Sequence, residues 1–205
     1  MSDGIDLDDL LMAHAAGTLP APLALLVRCH LRLCPESRER LRFYEQLAGL
    51  CLERLEPVPL NLGRREALLG RLGRETADTL PGGDPPPQRP DALPLALDRL
   101  DWQTAAEGVF AASLPGPADP ALDARVLRIE PGCTTGRHGH EAREFVLVLA
   151  GRFRDEYGSY RPGDVVICDP RVEHAPVAEG SEPCLCLEVR ERPPARRTLS
   201  CFPSA

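Results

Sequence analysis

His138 and His140 stand two residues apart in "HGHEAREFVLVLAG"; Glu144 follows in the same stretch, and His174 completes the set in "VEH". On an extended strand, residues two apart project to the same face, so the two imidazoles would share a side. Glu144 keeps that parity across a bend, and His174 comes from a later strand. Three imidazoles and a carboxylate form a donor set suited to Zn, Fe, Mn or Ni. Scattered surface histidines are the alternative. Three of the chain's five histidines fall into this one pattern, however, and that favours a metal site.

A second constellation lies in "CHLRLCPES", residues 29–37. His30 and Cys34 are spaced to share one helix face, but Ser37 stands where a zinc site would want another sulfur. A serine hydroxyl stays protonated near neutral pH and is not a usual zinc ligand, whereas a thiolate is. Two donors do not make a tight site. Cys29, Cys51 and His14 are the available substitutes; Cys29 lies about 100° round the helix from His30, and His14 falls on an apolar face where a core role is commoner. The site reads as a degenerate one, with zinc weak or absent. Among the other cysteines, Cys184 and Cys186 alternate with leucines on one strand face, with Cα atoms about 6.6–7 Å apart, the upper edge of disulfide reach. They read as small buried hydrophobes. Cys133 and Cys201 are expected to be more exposed, and Cys29, between Arg28 and His30, is the thiol with basic neighbours that would lower its pKa.

The elements that must position these residues change period halfway along the chain. Leu7, Leu10, Leu11 and His14 follow the spacing of one helix face, as do Leu23, Leu26, Val27, His30 and Cys34 after the break at "GTLPAP". Pro35 suits the first turn of a third helix, with Leu41, Tyr44, Ala48, Cys51 and Leu55 on its apolar side, ended by "PVPLN". "LGRREALLGRLGRET" predicts a fourth, arginine-rich helix whose thin stripe (Leu62, Leu69, Leu72) needs a partner to cover it. "LPGGDPPPQRPDALP" (80–94) then interrupts regular structure and reads as a linker. Beyond it, "ARVLRIEPG", "REFVLVLAGRF", "GDVVICDP" and "CLCLEV" are short runs of period two, which predict an antiparallel sandwich or barrel.

At 205 residues the chain suits one large domain or two small ones, and 43% hydrophobic with 27% charged residues is an ordinary globular balance. Its net charge is -7 and every basic residue is arginine, which argues against direct DNA binding, where phosphate neutralisation dominates affinity. No apolar run approaches the ~20 residues of a membrane span. The acidic start "MSDGIDLDDL" lacks the basic opening of a secretory signal. A cytoplasmic protein with reduced cysteines is expected.

His138, His140, Glu144 and Gly151, with Gly132 upstream, resemble the first cupin motif. Gly163, Pro170 and His174 resemble the second in outline, with looser proline spacing and Ala178 where many members have asparagine. The resemblance covers roughly residues 95–192 and implies a small conical barrel with the four side chains on a metal inside. "LLMAHAAGTLPAPLALLVRCHLRLCPES" is similar to the N-terminal domain of ChrR-type anti-sigma factors, with its "AAGTL" turn and H-x3-C-x2-C motif ahead of a cupin. His30 and Cys34 match that motif and Ser37 departs from it; "SDGIDLDD" lacks the upstream histidine of the family's zinc site. The resemblance implies an α + β two-domain protein: a small helical bundle (1–79), the Pro-rich linker (80–94) and a cupin β-barrel, or jelly roll (95–205). It further implies that the bundle binds and inhibits an extracytoplasmic-function sigma factor. The cupin, holding Zn or else Fe, Mn or Ni, would respond to a small-molecule or oxidant signal without catalysis. The competing reading is a metal-dependent cupin enzyme of dioxygenase type with a helical dimerisation arm. It needs a redox metal with open positions, and it leaves the first half's motifs unused.

Overall fold

A computed structural model describes residues 5–59, 62–75, 97–114 and 119–193. The expected linker and Cys201 lie outside these. Helix α1 (Leu7–Ala15) opens on a reciprocal cap: the Asp6 carboxylate accepts the Asp9 N–H while that of Asp9 accepts the Asp6 N–H. Helix α2 (Ala21–Leu33) follows the proline break, α3 (Pro35–Glu53) starts at Pro35, and α4 (Leu62–Glu75) is the predicted arginine-rich helix. Cys34 is not on the α2 face as expected. It is the extended residue between α2 and α3 (φ -119°, ψ 101°), because Pro35 disfavours a helical conformation in the residue before it.

The expected apolar face of α3 is covered only near its start. Ser37 is buried and Leu41, Tyr44 and Ala48 are half-buried, but Cys51 is exposed, and Leu55, expected on this helix, is exposed beyond its end at Glu53. The three helices do not close a core among themselves. Leu10, Leu11, Leu26 and Val27 instead pack in one cluster with Val126, Phe145, Leu147 and Leu187 of the strand region.

Eleven strands are described: β1 (Gln103–Ala106), β2 (Val109–Ser113), β3 (Leu122–Ile129), β4 (His138–Gly139), β5 (Glu144–Ala150), β6 (Phe153–Arg154), β7 (Ser159–Tyr160), β8 (Val165–Cys168), β9 (Glu173–His174), β10 (Val177–Ala178) and β11 (Cys184–Glu191). The large sheet runs β1-β2-β3-β11-β5-β8, with every pairing antiparallel. Smaller sheets, β10-β6-β7 and β4-β9, complete the strand domain. The predicted β runs are β3, β5 with β6, β8 and β11; β1, β2, β7 and β10 are additional. Gly151 turns the chain from β5 to β6 at φ 67°, and a Cβ there would lie 2.4 Å from the Pro183 carbonyl oxygen, so no other residue fits.

Strand β5 reads "EFVLVLA" without polar alternation because both its faces are covered. Phe145, Leu147 and Leu149 belong to the cluster shared with α1 and α2, whereas Val146 and Val148 belong to a second cluster, with Leu127, Ile129 and Phe153, on the other face. Strand β11 divides the same way: Leu187 and Val189 lie toward the helices, Cys184 and Cys186 toward the interior. Leu26 is fully buried at this seat. Leu26→Ala is expected to cost ~2–5 kcal/mol by urea unfolding, with helical and strand signals lost in one transition. A loss below about 1 kcal/mol would show that the seat is not a packed core.

Candidate metal centre

Antiparallel pairing of β4 with β9 places His138 opposite His174, and Glu144 is the first residue of β5. His140 follows β4 directly, since that strand is only two residues long. The structure thus brings all four predicted donors together, and one ligand atom from each lies within 4.8 Å of the others. His174 and Glu144 are buried, His138 and His140 half-buried.

Hydrogen bonds fix the tautomers. His138 donates from Nδ1 to the Gly136 carbonyl (3.0 Å), and His174 donates from Nδ1 to the Asp155 carboxylate (2.9 Å). Each Nε2 therefore carries a lone pair, and the two Nε2 atoms are 3.1 Å apart. Two facing lone pairs repel unless a cation lies between them. The spacing is close to the roughly 3.3 Å that separates two nitrogens on a tetrahedral zinc. His140 adds a buried Nε2 with no hydrogen-bond partner, its Nδ1 being 3.6 Å from Glu144 Oε2. Burial, then the neighbouring His174 and His138, lower its pKa to about 4, so it stays a neutral donor. The cluster is capable of holding a metal.

The sequence did not single out the groups around the donors. Asp155 is buried behind His174 and also accepts the N–H groups of Tyr157 (2.8 Å) and Gly158 (3.1 Å), an arrangement that orients the imidazole. Glu188, on β11, is buried and paired with Arg125, with Arg190 Nε 3.3 Å away. Burial and then the adjacent Glu188 push Glu144 up to about 8, so without a cation Glu144 carries the proton shared by the pair. Burial opposes ionisation of Glu188 too, but the Arg125 and Glu144 hydrogen bonds hold it below the usual range. Glu188 was detectable in principle, as a charge at the inward parity of Cys184 and Cys186. Asp155 sits in a turn with no such signal. Over the donors lies a pocket of ≈ 470 Å³, with Leu127, Ile129 and Phe153 among its apolar lining and Arg125, Arg143 and Arg190 among its polar lining.

His30 and Cys34 show a different chemistry. A carbonyl only accepts, so His30 Nδ1–H donates to the Gly163 carbonyl at 2.7 Å. Burial favours the neutral ring, and its Nε2 then accepts from the Ser37 hydroxyl at 2.7 Å. Cys34 Sγ lies 3.4 Å from Ser37 Oγ. Both ring nitrogens are thus engaged by hydrogen bonds. Of the substitutes, His14 is half-buried, Cys51 is exposed, and Cys29 is buried. The expectation of an activated Cys29 is corrected: burial outweighs Arg28 and pushes its thiol up to about 12. Cys184 and Cys186 are buried free thiols with Sγ atoms 3.6 Å apart, and Cys133 is half-buried.

Binding a cation requires Glu144 to lose its proton, whereas His140 has none to lose. Metal affinity is therefore expected to rise with pH by up to about tenfold per unit below pH 8 and to level off above it. Competition titration of Zn²⁺ against a chromophoric chelator from pH 6 to 9 checks this, and a flat profile would contradict it.

Comparisons place this geometry in a family. The cupin domain family model matches residues 125–190, which include all four donors. Anti-sigma-E factor ChrR of Cereibacter sphaeroides is 36% identical over 190 residues, covering 91% of this chain and 88% of that protein. The crystal structure of Rhodobacter sphaeroides SigE in complex with the anti-sigma ChrR contains a chain 35% identical, with a TM-score of 0.75 over 90% of this chain and 97% of that one. The match spans the helical part and the strand part alike. The chain belongs to the ChrR family of anti-sigma factors.

Proposed function

We propose that this protein is an anti-sigma factor whose helices, residues 1–79, bind and inhibit an extracytoplasmic-function sigma factor, while residues 95–205 form a metal-holding sensor. One observation carries the reading furthest. Helix α2 is seated on the sheet, yet α3 and α4 leave Phe43 (61% exposed), Leu50 (58%), Leu68 (59%) and Leu69 (50%) open. A family relative is found in complex with SigE. Apolar helix faces of this kind would bury against a sigma factor as an amphipathic helix does in a groove. Among the described residues, no helix is long and apolar enough to cross a membrane.

In the sensor, His138, His140, Glu144 and His174 would hold zinc, which supplies a Lewis acid and a charge that ties the donors of β4, β5 and β9 together. Asp155 orients His174, and the Gly136 carbonyl orients His138. Arg125 and Arg190 keep Glu188 ionised beside Glu144. The pocket over the donors would admit the signal, an oxidant or a small molecule acting in an oxidative stress response. That same pocket is what favours the dioxygenase reading. It would be told apart by oxygen-dependent turnover in the iron-loaded protein.

Phe43→Asp and Leu50→Asp are expected to weaken the complex with the cognate sigma factor about tenfold or more, without moving the unfolding midpoint, since both side chains are exposed in the free protein. Isothermal titration of the full-length chain checks this, and unchanged affinity in both variants would overturn the assigned surface. Elemental analysis is expected to find one zinc per chain, lost in His174→Ala and retained in Cys34→Ala. A second equivalent that disappears with Cys34→Ala would show that the helical site is a zinc site after all.

A further inference from the structure

The His30 hydrogen bond crosses from the helices to the strand region. Its acceptor, Gly163, belongs to the strand region, 133 positions along the chain, in the tight turn that leads into β8. That turn is closed by Asp164 N–H donating to the Arg161 carbonyl (2.9 Å). Gly163 has φ 96°, and a Cβ on it would lie 3.4 Å from Leu33 Cβ, so the end of α2 rests directly on this turn. The turn in its turn is bonded to β5: Gly163 N–H donates to the Val148 carbonyl (2.9 Å), and Val148 N–H donates to that of Asp164 (3.1 Å). Strand β5 begins with Glu144. An unbroken path therefore joins Ser37 and His30 through Gly163 and Val148 to the strand that carries a metal donor. Phe145 and Leu147 of that strand pack in the cluster that holds Leu26 and Val27.

We infer that His30 is a positioning residue that makes helix α2 follow β5, so that metal occupancy at Glu144 is transmitted to the helical part through the Gly163 carbonyl. This rests on the proposed metal site, though not on the identity of the sigma factor. Occupancy fixes the position of Glu144 and with it the start of β5. The Val148–Gly163 bonds hold the turn to the strand, and His30 holds α2 to the turn. For the relay to work, α2 must exchange between seated and loosened arrangements, and a cation on Glu144 must favour the seated one. The Ser37 hydroxyl completes the relay by holding the ring in the Nδ1–H tautomer, the task a metal on Nε2 would otherwise perform. A serine at this position thereby preserves the link while dispensing with the ion.

Two substitutions separate the two bonds of His30. The amide of Asn reaches the place of Nδ1, so His30→Asn keeps a donor toward Gly163. Gln reaches the place of Nε2, so His30→Gln keeps the Ser37 contact and cuts the link. Hydrogen exchange of the full-length protein, with and without one equivalent of Zn²⁺, reads the result. In the parent and His30→Asn proteins, zinc is expected to slow exchange across residues 26–33 by roughly fivefold or more, and in His30→Gln to leave it unchanged. Bound zinc with no protection of α2 in the parent protein would overturn the relay alone. Equal protection in the parent and His30→Gln proteins would do the same. Failure to bind zinc at all would overturn the metal reading and the relay with it.

Discussion

The seat of α2 on the outer face of β3, β11 and β5 is the contact on which the rest of the structure depends. It gives three short helices the core they cannot build alone, because Leu10, Leu11, Leu26 and Val27 are buried only with Phe145, Leu147 and Leu187 beneath them. It also forces β5 and β11 to be apolar on two sides, with residues of one parity under the helices and those of the other in the core between the sheets. Close-packed interiors transmit small displacements, so a strand shared by a donor cluster and a helix seat joins the two physically. The same contact directs the helices outward. With α2 committed to the sheet, the apolar residues of α3 and α4 are left for a partner.

Ser37 stands where the resembled motif has a cysteine, and its hydroxyl pairs the buried His30 ring. A zinc ion would crosslink the ends of α2 and α3 by several bonds. Here a neutral imidazole spans the same place, donating to a backbone carbonyl on one side and accepting from a hydroxyl on the other. Buried polar groups cost stability unless paired, and this chain of donors and acceptors pairs both ring nitrogens. The cluster of His138, His140, Glu144 and His174 stands in the opposite condition. His140 Nε2 has no partner, and two Nε2 lone pairs face each other, so that cluster lacks the satisfaction that His30 has.

Much of this was legible in the residues. The four donors, the four helices and the main strands follow from spacing and parity, since local geometry sets which side chains share a face. The cover of α3 was not legible. Leu55 and Cys51 keep helical spacing with the buried start of the helix, yet α3 packs against the shorter α1 and α2, Cys51 is exposed and Leu55 lies beyond the helix end at Glu53. Asp155 and Gly163 acquire their roles from pairings between distant segments that no local pattern announces. The inert Cys29 has the same origin. Its basic neighbour is visible in sequence, but the burial that outweighs it comes from the cluster the helices share with the sheet.

The central claim is inhibition of a sigma factor by the whole chain, and the direct measurement is multi-round transcription in vitro with purified RNA polymerase core, the cognate extracytoplasmic-function sigma factor and the zinc-loaded protein. Transcript is predicted to fall to background as the protein reaches one equivalent of sigma factor, and to stay at full level when a primary sigma factor is used instead. Undiminished transcription at a severalfold excess of the protein would contradict the account.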